Sequence, residues 1–281
     1  MYVFSYFKTE SEALHLALSD DGFQWKPINN NKPVLTCNVN SKSIRDPFII
    51  KAQDGIFHLF FTDSWRSKYI IHCYSNDLIE WSRQEAIGVM VDVPGTRNSW
   101  APECFYDYEE DLYRIIWSST VSVEGPVNFK DHRIWSTTTK DFINYTPSKI
   151  FFDPGYSVID ATVAYKNGKY LMAFKDERGT NEVDTEFKAI RVCCSEKAEG
   201  PYANISELIT PNLTEGPVIF EAEGELIMFY DHFKENHYGA SISYDGRNWT
   251  DIIQKVEFPQ GVRHGGVIKI DDSLAKKLML L

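Results

Sequence analysis

Between Ser43 and Trp81 the chain reads Ile44-Arg45-Asp46-Pro47-Phe48-Ile49-Ile50, then GIFHLFFTDSW over 55–65, then IIHCYSNDLIEW over 70–81. The first run is a short apolar strand opened by an acid, Asp46. An Asp54-Gly55 turn leads into a second, aromatic strand. The third strand runs into a polar-aromatic turn, Ser75-x-Asp77-x-x-x-Trp81. Short apolar runs bounded by turn residues read as buried strands.

That turn returns. Ser19-x-Asp21-x-x-x-Trp25, Thr139-x-Asp141-x-x-x-Tyr145 and Ser243-x-Asp245-x-x-x-Trp249 share the pattern, and a degraded copy, one residue longer, runs from Ser195 to Tyr202. The leading residues are 56, 64, 56 and 48 apart, close to the ~40–50 residues of a four-stranded propeller blade. Inner strands keep step with the turns: RDPFII (45–50), WAPECF (100–105), IDATV (159–163), TEGPVI (214–219) and RHGGVI (263–268). Four of them lead through an acidic or glycine turn into a second strand, FHLFFT, YRIIWS, YLMAFK and LIMFYD. The last has no such successor, and the N-terminus supplies it as YVFSYF and ALHLALS. The expectation is one all-β domain over 1–281, a five-bladed β-propeller. Its ring is closed by N- and C-terminal strands sharing one blade, which removes an exposed sheet edge. An irregular β-sandwich would not require five copies of one outer turn. No helical pattern of useful length precedes the tail, 273–281.

Composition narrows the function. A net charge of −11 and pI near 5.1 give no electrostatic footprint for nucleic acid or an anionic membrane. No apolar run approaches a membrane helix. MYVFSYFKTE lacks a signal-peptide pattern, although a leader already removed would leave the same start. Aromatic residues make up 14%, which suits strands and sugar stacking. The five cysteines (37, 73, 104, 193, 194) form no CxxC, so neither a zinc site nor a disulfide framework is expected. Asn144, Asn204, Asn212 and Asn248 open N-x-S/T triplets, which matter only in a secretory eukaryote.

The residues opening the inner strands carry the chemistry. In a propeller these strands line the central channel, and their leading residues face one mouth. Asp46, Asp160 and Glu215 open three of them, Trp100 and His264 the other two. Acids brought together from separate blades repel one another and raise at least one pKa, an arrangement typical of functional sites. Each also has a structural alternative, as a loop end, an amide acceptor or a turn residue. Glu103 lies three residues into its strand and reads as structural. Trp65 and Arg178 follow second strands, 19 and 18 residues after Asp46 and Asp160, and are placed to reach the rim. Two carboxylates across a glycosidic bond are the minimum for its hydrolysis.

RDPFII, WAPE, IDATV, TEGPVIF and RHGGVI together resemble glycoside hydrolase family 43. That family comprises inverting five-bladed propellers, among them arabinofuranosidases, xylosidases, arabinanases and some galactanases. The resemblance implies an oligosaccharide or polysaccharide substrate and removal of L-arabinofuranose or D-xylose. It implies Asp46 as general base, Asp160 as pKa modulator and Glu215 as general acid. Trp100 would floor the sugar subsite. His264 resembles the family histidine near the channel axis, which contacts sugar or, in some members, a water-ligated Ca2+; no other cofactor is implied. Two departures stand out: Arg45 precedes the first acid, and about forty residues precede that. Arg-Asp-Pro also occurs in retaining fructan-cleaving propellers, with Glu103-Cys104 mimicking their acid. Those enzymes need a nucleophilic aspartate on an earlier blade, and residues 1–44 offer only Asp20-Asp21 in an outer turn. A catalytically inactive sugar-binding propeller is the other alternative.

Overall fold

In the computed structural model, which describes residues 1–120 and 131–281, the repeat becomes five antiparallel sheets. Blade one holds Arg45–Lys51, Phe57–Thr62, Ile70–Ser75 and Glu85–Ile87. Blade two holds Trp100–Asp107, Leu112–Thr120, His132–Thr139 and Lys149–Phe152. Blade three has Val158–Lys166, Lys169–Asp176 and Ile190–Ser195, and blade four Glu215–Ala222, Glu225–His232, His237–Ser243 and Thr250–Asp251. Each innermost strand touches the next around the ring, and Arg263–Lys269 touches Arg45–Lys51 to complete it.

Blade five is the one built from both ends of the chain. Arg263–Lys269 pairs with Tyr2–Phe7, Val3 opposite Ile268, and Tyr2–Phe7 pairs in turn with His15–Ser19. Gly265 is indispensable at this junction, since a Cβ there would fall 1.8 Å from the Ser5 carbonyl oxygen. Blade three departs from the four-stranded plan. Its outer edge is reduced to an isolated bridge between Cys194 and Ala203, within the degraded copy of the turn.

Strands buried on both faces explain the unbroken apolar runs. Side chains alternate across a strand, so Phe57, Leu59 and Phe61 fill the seam toward blade five, while Phe60 faces blade two. Five such seams, one between each pair of neighbours, form the core. The seam between blades four and five is the most aromatic. Phe4 is fully buried there, 5.5 Å from Trp25, 5.9 Å from Phe229 and 5.8 Å from Tyr238. Phe4→Ala is expected to cost about 3–5 kcal/mol, as large aromatic truncations do. Urea unfolding checks this, and a loss under about 1 kcal/mol would mean that the seam collapses around the gap.

The recurrent turn is a backbone device. Asp77 Oδ1 accepts from the amides of Ile79 and Glu80, both at 2.9 Å, and Ser75 Oγ accepts from Leu78 N, also at 2.9 Å. Asp21, Asp141 and Asp245 do the same in their blades. These bonds hold the next residue at positive φ: Gly22 84°, Leu78 61°, Phe142 56° and Gly246 73°. The motif that reveals the fold therefore carries no chemistry. The tail helix, Asp272–Leu278, is capped by Asp271, which accepts from Leu274 N at 2.9 Å, and it packs Leu274, Ala275 and Leu278 into the seam of blades five and one. No helix among the described residues is long and apolar enough to cross a membrane. All five cysteines are free.

Candidate active site

At one end of the channel every inner strand breaks register at the same level. Pairing jumps from Arg45 to Phe48, Trp100 to Glu103, Ile159 to Thr162 and Glu215 to Val218. In blade five it jumps from Arg263 to Gly265, leaving His264 unpaired in the ladder. The first bulged residue is left-handed: Asp46 at φ 49°, Ala101 at 47°, Asp160 at 54° and Gly216 at 57°. Such bulges re-aim a side chain. A non-glycine residue held there costs on the order of 1–3 kcal/mol and clusters at functional sites. Gly216 must be glycine, because a Cβ would lie 2.5 Å from His264 Cγ.

This register refines the expected placement of the acids. Asp46 and Asp160 occupy one slot, which Ala101, Gly216 and His264 fill in the other blades. Glu215 stands one residue earlier, level with Arg45, Trp100, Ile159 and Arg263. All three acids still line one cavity of about 440 Å³. Trp65 and Trp100 form its aromatic side, edge to face at 5.6 Å, with the Trp100 indole donating to the Trp65 carbonyl at 3.2 Å. Trp65 is 62% exposed, with the Arg45 guanidinium over its ring at 4.8 Å.

Side chains at the end of each second strand latch one blade to the next. Thr62 Oγ1 accepts from Ala101 N at 2.7 Å and donates to Asp46 Oδ2 at 2.8 Å. Ser118 Oγ accepts from Asp160 N at 3.0 Å, and Lys175 Nζ donates to Glu215 Oε2 at 2.8 Å. Arg263 Nε donates to Asp231, and Ser5 Oγ donates to the Pro47 carbonyl at 2.9 Å, closing the circle. Asp160 Oδ2 also accepts from Gly216 N at 3.2 Å, tying the second acid to the strand bearing the third. The neighbours Arg263 and His264 divide between the outer two acids. The Arg263 guanidinium is 3.5 Å from Glu215 Oε1, and His264 Nδ1 is 3.4 Å from Asp46 Oδ1.

Charge is graded across the site. Burial works to raise Asp46, but the hydrogen bond and charge of His264, with Arg45 and Thr62, outweigh it and hold this carboxyl below its ordinary value. Asp160 goes the other way, pushed up to about 7 by burial and by the charges of Glu215 and Asp46, against His264 and Lys175. Glu103, buried beneath them, is pushed up to about 8, chiefly by burial. Burial opposes charging His264, yet Asp46, Asp160 and Glu103 raise it to about 9. Lys175 is raised above its ordinary value, Glu215, Glu177 and Asp160 together overcoming burial. Asp46 is thus held charged while Asp160 is poised to hold a proton, a divergence of neighbouring carboxyl groups typical of acid–base sites.

These shifts fix a sign for stability against pH. Asp160, Glu103 and His264 bind a proton more tightly folded than unfolded, so their contribution declines as pH rises above each group's ordinary value and is gone above about 7, 8 and 9 respectively. Glu103→Gln is expected to flatten that decline between about pH 4.5 and 8 by one proton, about 1.4 kcal/mol per pH unit. Urea unfolding across pH is the measurement, and an unchanged slope would show Glu103 ionised in the folded protein.

The sequence matches, over residues 1–274, the glycoside hydrolase family 43-related family described as a probable glycosyl hydrolase domain. This chain belongs to that family. The chain is 28% identical over 186 residues to an α-L-arabinofuranosidase of Bifidobacterium longum subsp. longum, covering 57% of this chain and 18% of that protein. The chain thus spans under a fifth of that relative's length. Its fold matches an α-L-arabinofuranosidase from Lactobacillus brevis at TM-score 0.59 and 18% identity, over 80% of this chain and 74% of that one. It also matches an endo-arabinase from Bacteroides thetaiotaomicron at TM-score 0.59 and 20% identity, over 79% and 84%.

Six of the seven sequence-predicted residues meet in this cavity: Asp46, Asp160, Glu215, Trp65, Trp100 and His264. Arg178 is the correction. Its guanidinium is bound by Asp176, 2.6 Å from Oδ2, between the rings of Tyr156 (3.8 Å) and Phe187 (4.2 Å), and it does not line the cavity. Alternation along the strand is the reason: Lys175 and Glu177 face the cavity, so Asp176 and Arg178 face away.

Lys175, Glu177 and Arg263 are among the lining residues that sequence reasoning missed. The signal was a lysine ending the apolar run YLMAFK and an arginine beside His264.

Proposed function

We propose that the hydrolase removes a pentose, L-arabinofuranose before D-xylose, from plant-type polysaccharide side chains or oligosaccharides, with inversion at the anomeric carbon. The carrying observation is the division of labour between Arg263 and His264, which hold Glu215 and Asp46 as separate carboxyl groups on one cavity. Asp46, kept charged by His264 and Thr62, activates water. Glu215 gives its proton to the leaving oxygen, and Asp160 tunes and positions it through Gly216. The B. longum relative's name supports the pentose. The exposure of Trp65 at the cavity supports an open mouth that accepts a chain end.

A panel of nitrophenyl glycosides with product anomers read by NMR tests this. The expected result is turnover of the α-L-arabinofuranoside with the β-anomer of arabinose formed first. First release of the α-anomer would replace inversion by retention. Binding of arabino-oligosaccharide without any turnover would favour the inactive sugar-binding alternative.

A further inference from the structure

The hairpin joining the second and third strands of blade four carries a cluster that the catalytic reading does not use. Strand Glu225–His232 ends at His232, strand His237–Ser243 begins at His237, and the two are direct partners across the ladder. Their rings lie nearly parallel, with centroids 4.2 Å apart. The loop between them is tightly wound. His232 O accepts from Glu235 N at 2.9 Å and from Asn236 N at 3.0 Å, and Asn236 is left-handed at φ 55°. This winding brings Glu235 back over the strand ends, its Oε2 3.4 Å from His237 Nδ1.

One potential ligand atom from each of His232, Glu235 and His237 lies within 4.8 Å of the others. Two ligands about 2.1 Å from a tetrahedral zinc sit about 3.4 Å apart, which the Glu235–His237 pair already matches. The wider separations close by rotation of side chains that are free to turn, since His237 is 49% and Glu235 70% exposed. His232 is half-buried beside Tyr230, ring centroids 5.5 Å apart, and provides the fixed member. Two imidazoles and one carboxylate favour a borderline divalent transition ion over calcium or magnesium, which prefer all-oxygen shells.

From this geometry we infer that the His232–Glu235–His237 hairpin is a binding site for one divalent transition-metal ion of the zinc class, with water completing its shell. The location gives the site a consequence. The same loop carries Phe233, which lines the catalytic cavity and lies over the Lys175 ammonium at 4.5 Å. An ion pinning the two strand ends stiffens that wall of the mouth. His237 itself is outside the cavity lining.

Calorimetric titration of the metal-free full chain with Zn2+ is the test, with Co2+ absorption spectra as a second readout. The expected result is one equivalent bound, with tetrahedral Co2+ bands. Both are weakened at least 10-fold in His237→Ala and in Glu235→Gln, whose melting temperatures without metal match the parent. No saturable binding by the parent overturns the inference. So does binding of equal stoichiometry and affinity in both variants, which would place the ion elsewhere on the chain.

Discussion

Asp46→Asn is expected to slow turnover of an aryl pentofuranoside by about 10²–10⁴, the range that general acid–base assistance contributes, with KM little changed. The amide keeps the size of the carboxylate and still accepts from Thr62 through its oxygen, so the blade-one bulge and the Thr62 link to Ala101 persist. It cannot take a proton from water. Loss should fall on kcat, because the missing interaction belongs to the transition state. His264 loses its carboxylate partner, so a control is needed. His264→Gln should move the melting temperature more than Asp46→Asn, while Asp46→Asn moves the rate more. A rate within tenfold of the parent, at matched stability, would remove Asp46 as the base.

The residues that made the fold legible are those whose work is local. Ser75, Asp77 and Trp81 act within one turn, so their spacing survives in the chain and repeats with the blades. The doubly buried strands were legible for the same reason, since both faces meet apolar neighbours and the sequence shows no alternation. The bulges left a weaker mark. Asp46 and Asp160 sit at positive φ before Pro47 and Ala161, and nothing in the order of residues distinguishes that slot from the one before it. Glu215 was accordingly read as level with them although it stands one residue earlier. Lys175 and Arg263 were missed because their partners, Glu215 and Asp231, lie 40 and 32 residues away on other strands. Arg178 was misplaced by parity alone. Distance from Asp160 put it near the rim, but only the strand's alternation decides which face it takes.

Glu215→Gln separates proton donation from everything else this carboxyl does. The amide retains the bulk beside Arg263 and can accept from Lys175, and Lys175 keeps Glu177 at 3.0 Å as a partner, so the buried ammonium is not stranded. Hydrolysis of an oligosaccharide, whose leaving oxygen needs a proton, should fall by about 10²–10⁴. A dinitrophenyl glycoside leaves as a stable phenolate and should lose far less. The ratio between the two substrates is therefore the diagnostic, and equal losses on both would point to damaged binding instead of a missing acid. Full activity on the oligosaccharide would send the proton's origin to another buried carboxyl. Glu103 is held neutral but is absent from the cavity lining, which leaves Asp160, on the wall and raised to about 7, as the group able to reach the bond. Asp160→Asn would then become the inactive variant, and the order of roles along the channel would be reversed.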